Sequence, residues 1–165
     1  MSANKHLPHL LVIPEDDANH DIMVGFRNHL AVNSRQIQVA NVANGWVKAL
    51  DTFVDDHAEL MRRKFVQRHV LILIDLDGKE NRLDHALGRI PEDLRSRVFV
   101  MGCRVTPEKL SANLGMSKEK IGEALAQECL SGGTEVWQSE MLAHNQTELQ
   151  RMRMTICQNL LELQA

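Results

Sequence analysis

Long apolar runs are absent from this 165-residue chain. None approaches the roughly 18 apolar residues of a membrane-spanning helix, and the polar first six residues lack the charged and apolar regions of a secretory signal. Both absences predict a cytoplasmic protein with no membrane partner. Cysteine is scarce too. Cys103, Cys129 and Cys157 are an odd set, spaced too widely for a zinc knuckle or a redox pair, and are expected to be reduced packing residues. The eight histidines are scattered and contain no His-Glu-x-x-His, so they offer no metal signature. Charge of one sign is also missing. A formal net charge of −3 gives no overall pull toward nucleic acid, so any such binding must come from local basic patches, a protein partner or a bridging metal.

What is present has an ordinary globular composition. With 44% hydrophobic and 25% charged residues, the chain can bury one core, and extensive disorder is not expected. Residues 9–13 form an apolar run ending at Pro14 and three consecutive acids, the pattern of a buried strand that delivers carboxylates into a loop. Ile22, Met23, Phe26 and Leu30 recur at helical spacing, with Asp17 or Asn19 available to cap. A short strand over 37–42 and a turn at Asn44-Gly45 precede a helix over 46–64. The strongest strand is 69–74, apolar almost throughout as a sheet covered on both faces requires, and it ends in Asp75-Leu76-Asp77-Gly78.

A short helix is expected over 82–87, a turn at 92–95, a fourth strand over 98–101, and a helix from Thr106-Pro107 to Leu114-Gly115. Beyond Gly115 no apolar strand remains. A helix over 117–130 is broken by Gly132-Gly133, and Leu149, Met152, Ile156, Leu160 and Leu163 make an amphipathic last helix. The expected architecture is an α/β, Rossmann-like domain over 7–115 with about four mainly parallel strands flanked by helices. A helical C-terminal extension over 116–165 packs on the same domain.

Functional groups of a parallel sheet collect at the carboxyl ends of its strands. Acids fall there in separate segments: Glu15, Asp16 and Asp17 after the first strand, Asp75 and Asp77 after the third, and Glu108 after the fourth. Carboxylates brought together repel one another unless protonated or neutralised, and an oxygen-only donor set suits Mg²⁺ or Mn²⁺. As an Asp-x-Asp on a strand's final residues, Asp75 and Asp77 are expected to point to the same side, because strand periodicity is two.

The acidic loop after His9-Leu-Leu-Val-Ile-Pro-Glu15, followed about 60 residues later by Leu-Ile-Leu-Ile-Asp75-Leu-Asp77-Gly78, resembles a Toprim domain, the catalytic fold of topoisomerases, bacterial primases and OLD-type nucleases. The resemblance covers about residues 7–115 and implies a roughly four-stranded parallel sheet. It implies that Glu15 is the general acid/base or a metal-site carboxylate, that Asp75 and Asp77 bind Mg²⁺, and that Glu108 is the positional candidate for the additional acid of OLD-like members. A Gly commonly follows the family's Glu, whereas Asp16 stands here. The chain has no tyrosine, which excludes a self-contained topoisomerase. The implied function is metal-dependent, nuclease-like phosphodiester processing on DNA or RNA, within a larger system that includes a protein partner.

A second resemblance is to a response-regulator receiver domain, with Asp16 and Asp17 as its acidic pair and Asp75 as phosphoacceptor. A receiver has a fifth strand with a Lys-Pro turn, and neither follows Met101. A third alternative is a catalytically silent Toprim-like binding subunit. Arg62-Arg63-Lys64 with Arg68, and Arg151 with Arg153, are candidates for phosphate contacts, though the first group also suits a helix C-terminus. Trp46 and Trp137 read as packing anchors, and His144-Asn145 as the cap of the last helix.

Overall fold

The computed structural model describes residues 3–161, apart from the side chain of Leu130. The chain forms an α/β, Rossmann-like fold around one four-stranded parallel sheet. Strand β1 (His9–Pro14) is followed by α1 (Asp17–Asn28), β2 (Ile37–Val39), α2 (Trp46–Thr52) and α3 (Ala58–Arg63). Then come β3 (Arg68–Leu73), α4 (Asn81–Gly88), β4 (Val98–Met101), α5 (Pro107–Leu114), α6 (Lys118–Ser131), α7 (Gln146–Thr155) and α8 (Cys157–Leu160). The sheet order is β2-β1-β3-β4.

Alternation along the strands divides the core into two layers, as a pleated sheet covered on both sides demands. Leu10, Val12, Leu71, Leu73, Phe99 and Met101 face α1 and α6 to α8, whereas Leu11, Ile13, Val70, Ile72, Val98 and Val100 face Leu50, Phe53, Met61, Ala86 and Leu94. Residues past 115 therefore complete one face: Ile121, Leu125, Trp137, Leu149, Met152 and Ile156 are all buried there. Helices α1 and α6 meet backbone to backbone at two glycines. A Cβ on Gly122 would lie 1.9 Å from the Ile22 carbonyl oxygen, and one on Gly25 would lie 2.1 Å from that of Glu119.

Several elements differ locally from the sequence expectation. Strand β2 stops at Val39, yet Ala40 and Ala43 still donate to Val12 and Pro14, so the edge pairing runs on as irregular backbone toward Asn44 at φ +64°. The helix expected over 46–64 is divided by a π-helical turn, Phe53–His57, which places Phe53 fully in the core. The last helix breaks at Ile156 between α7 and α8, and Leu163 lies outside the described residues. Asn145 stands at the N-cap position of α7, but its side chain makes no capping bond there. Its side chain instead accepts from Gly102 N at 3.1 Å and donates to Gly102 O at 3.0 Å, closing the end of β4. Glu148 accepts from Val100 N at 2.8 Å, so α7 side chains occupy the outer edge of β4 where a fifth strand would pair. No helix among the described residues is long and apolar enough to cross a membrane.

Candidate functional site

The order β2-β1-β3-β4 puts a topological switch point between β1 and β3, because the chain leaves β1 toward one side and crosses to the other for β3. Their carboxyl ends carry Glu15 and Asp75. Pairing continues past both strands: Glu15 N donates to Leu73 O at 2.9 Å and Ile74 N to Met101 O at 2.9 Å. The backbone under the acids is therefore held on both sides. Close approach fixes it further, since a Cβ on Gly102 would stand 1.5 Å from the Ile74 carbonyl oxygen.

Glu15 is half-buried and its Oε2 accepts from Asp75 N at 2.6 Å. Burial, followed by the opposing effect of that hydrogen bond and then by repulsion from Asp16, raises its pKa above the usual carboxylate value. Asp16 caps α1, accepting from Asn19 N at 3.0 Å. The capping residue is thus Asp16, not Asp17 or Asn19, because only Asp16 has the extended backbone that turns its carboxylate back onto the first turn. Asn19 is buried, and its Nδ2 donates to Asp16 Oδ1 and to Asp75 Oδ1, both at 3.1 Å. One amide thereby holds two carboxyl groups from separate strand ends.

Asp75 is only 5% exposed. Its pKa is pushed up to about 8, first by desolvation and then by its acidic neighbours Asp16 and Glu15, against the single favourable bond from Asn19. Among the described residues no cationic side chain bonds its carboxyl group. The nearest guanidinium, that of Arg82, is turned elsewhere: Nη1 donates to the Asp75 backbone carbonyl at 2.7 Å and to Asp77 Oδ2 at 3.0 Å.

Asp77 therefore does not lie beside Asp75 as a continuing strand would place it. Strand β3 ends at Leu73, and Asp77 sits at φ +49° with Gly78 at +72°, a left-handed turn that removes the two-residue periodicity. Its half-exposed carboxylate is paired with Arg82. Glu108 lies exposed in the first turn of α5 and has no hydrogen bond to the other acids among the described residues. The structure thus ties Glu15, Asp16 and Asp75 into one hydrogen-bond network, while Asp77 is paired with Arg82 and Glu108 makes no bond to that network among the described residues. Among the described residues no three Asp, Glu, His or Cys side chains already converge as ligands of one ion. Oxygen-only donors are the kind a hard divalent cation takes, and the present side-chain positions among the described residues do not enclose one.

Two residues of this network were not assigned to the site from the sequence: Asn19 was named only as a possible helix cap, and Arg82 only as the start of a helix. The Asp16-x-x-Asn19 spacing of a helix cap was the available signal for Asn19, and Arg82 had none, since its role depends on the turn at Asp77. Three residues of the basic clusters are paired with acids. Arg62 pairs with Glu59 at 2.6 Å and Asp93 at 2.7 Å, Arg63 with Glu59 at 3.3 Å, and Arg151 with Glu148 at 2.6 Å. Arg68 is buried at the opposite end of the sheet, where Nε donates to His9 Nε2 at 3.0 Å. Trp137 is a core anchor whose Nε1 donates to Leu125 O at 3.2 Å, while Trp46 is half-buried against Arg82. Cys129 and Cys157, distant in sequence, are free thiols close enough to shift each other's titration. Comparison with family models, curated proteins and solved structures finds no match.

Proposed function

We propose that this chain is a Toprim-like, metal-dependent phosphodiester-processing domain, nuclease-like in its chemistry and acting on nucleic acid. The observation that carries the reading is Asp75: a buried carboxyl group at the switch point, flanked by Glu15 and Asp16 and, among the described residues, bonded by no cationic side chain. A carboxylate in such surroundings needs a proton or a cation. Asp75, Asp16 and Glu15 would hold Mg²⁺ or Mn²⁺, with Asp77 and Glu108 available only after leaving their present positions. When bound, the ion supplies charge stabilisation at a phosphate and lowers the pKa of a bound water.

The chain's own residues do the rest. Asn19 orients Asp16 and Asp75 with one amide, and Arg82 fixes the Asp75 carbonyl and so the direction of its side chain. Glu15, its proton affinity raised by burial, is suited to accept and return a proton as general acid/base. The net charge of −3 favours a protein partner that contributes affinity for the nucleic acid.

One observation favours a receiver-like phosphoacceptor instead: Asp16 rather than Asp77 is the neighbour of Asp75. Two count against it, the burial of Asp75 away from a phosphodonor and the covering of β4 by Glu148. The deciding experiment compares wild type with Glu15→Gln on single- and double-stranded DNA and RNA in Mg²⁺ and in Mn²⁺, alone and with co-purified partners. Cleavage by wild type and loss in Glu15→Gln supports the nuclease. Phosphorylation of Asp75 by a small phosphodonor, unaffected by Glu15→Gln, supports the receiver. With neither activity, the chain is a silent binding subunit.

A further inference from the structure

Next to the Arg82–Asp77 ion pair, which shares Arg82 with it, Trp46, Lys79, Asn81, Arg82 and His85 line an open groove of about 280 Å³. None of these five residues carries negative charge. Arg82 is nine-tenths buried, with its guanidinium 4.8 Å from the Trp46 ring centroid, and His85 meets the same ring edge-on at 5.4 Å. Among the described residues only Nη1 of Arg82 is used in hydrogen bonds, which leaves Nε and Nη2 as donors without a protein acceptor on a side chain that lines the groove. Neither nitrogen is sealed from solvent, so both can donate to a ligand in the groove. Exposed Lys79 and His85 add donors on the same wall.

We infer that this groove is a subsite for a single nucleic-acid strand, which takes one backbone phosphate on the free edge of Arg82 with Lys79 and His85, and one base against Trp46. The inference rests on the nucleic-acid reading and names the form of substrate: an unpaired strand, whose bases are free to stack. Phosphate contacts set the register of a strand, and aromatic stacking accepts any base, so the subsite would position a phosphodiester beside Asp75 without reading sequence. Arg82 serves both sites, since the guanidinium whose Nη1 holds Asp75 and Asp77 belongs to a side chain that also lines the groove.

The test is binding of a short oligothymidylate to the full chain in EDTA, followed by tryptophan emission. Only Trp46 and Trp137 emit, and Trp137 is buried in the core. The oligonucleotide is expected to quench emission saturably, and Trp46→Phe to remove the change. Lys79→Glu and His85→Ala, both at exposed positions, are expected to weaken binding, the first by about tenfold. Lys120→Glu, on exposed α6 surface, is expected to change affinity less than twofold, within ordinary surface-charge effects. Absence of binding in EDTA, or equal weakening by Lys79→Glu and Lys120→Glu, would overturn the subsite. Because no metal is present, failure here leaves the carboxylate site standing, and failure of metal binding leaves the groove standing.

Discussion

The backbone N–H of Asp75 donates to Glu15 Oε2 at 2.6 Å, tying the end of β3 to the end of β1 through the side chain assigned to proton transfer. Glutamine at position 15 keeps an oxygen for that bond but cannot exchange a proton near neutrality. Glu15→Gln is therefore expected to retain the fold and to lower metal-dependent cleavage by about 10²–10⁴-fold, the usual contribution of a general acid/base. Circular dichroism and a gel-based cleavage assay on one preparation check both parts. Cleavage within threefold of wild type would remove Glu15 from the chemistry.

Asp75 carries a stability signature in the metal-free protein. Its folded pKa, about 8, exceeds the ordinary 3.8, so its protonated form is stabilising below pH 4 and that contribution is lost as pH rises to 8. Asp75→Asn removes the loss. In EDTA at pH 8 the variant is expected to be more stable than wild type by on the order of 1–2 kcal/mol after solvent screening, with the difference vanishing near pH 4. Urea unfolding at both pH values measures it, and a variant less stable at pH 8 would contradict the assignment.

The opposite end of the sheet responds with the opposite sign. Arg68 donates to the Nε2 of His9 at 3.0 Å and lies 3.4 Å from the Nδ1 of His57, so both imidazoles serve as neutral acceptors for a buried guanidinium. Burial, and then chiefly the charge of Arg68, lowers the pKa of His57, and burial lowers that of His9. With folded values below 6.5, their contribution is complete above that pH and is lost as pH falls through it. In the Asp75→Asn background, which removes the larger of the opposing carboxyl effects and leaves that of Glu15, the urea midpoint is expected to fall between pH 7.5 and 5.5, and to fall less when His57→Gln is added. A midpoint that rises on acidification would refute this.

Glycine matters where backbones touch. Gly122→Ala would drive a Cβ to 1.9 Å from the Ile22 carbonyl and force α1 and α6 apart, at an expected cost above about 3 kcal/mol. Gly88→Ala, in α4 with nothing within 4 Å of the added carbon, is expected to stabilise by about 0.5 kcal/mol. Thermal melts of the two variants separate these outcomes, and a Gly122→Ala melting point near wild type would mean the helices are not packed this way.

The sheet was legible because both its faces are buried. Residues 70–73 and 98–101 are apolar at every position, and that pattern permits little else. The acidic strand ends were legible for the same reason, since Glu15 and Asp75 are the first charges after such runs. What the sequence did not disclose depends on single backbone torsions or long-range contacts. The left-handed turn at Asp77 sends its carboxylate to Arg82, and Asn19 joins Asp16 to Asp75 across 56 residues of chain. Asn145 reaches back 43 residues to Gly102 rather than capping its own helix. No local propensity encodes such partners, because each is chosen by the packed fold.

The central claim, that Asp75 with Glu15 and Asp16 takes a divalent ion, is tested most directly by calorimetric titration of Mn²⁺ into wild type and Asp75→Asn. Wild type is expected to bind one ion with release of a proton at pH 7, because Asp75 is largely protonated there and must ionise to become a ligand. The variant is expected to bind at least about tenfold more weakly and without that proton, as loss of one charged ligand requires. Equal affinity in the two proteins, or no binding to wild type, would contradict it.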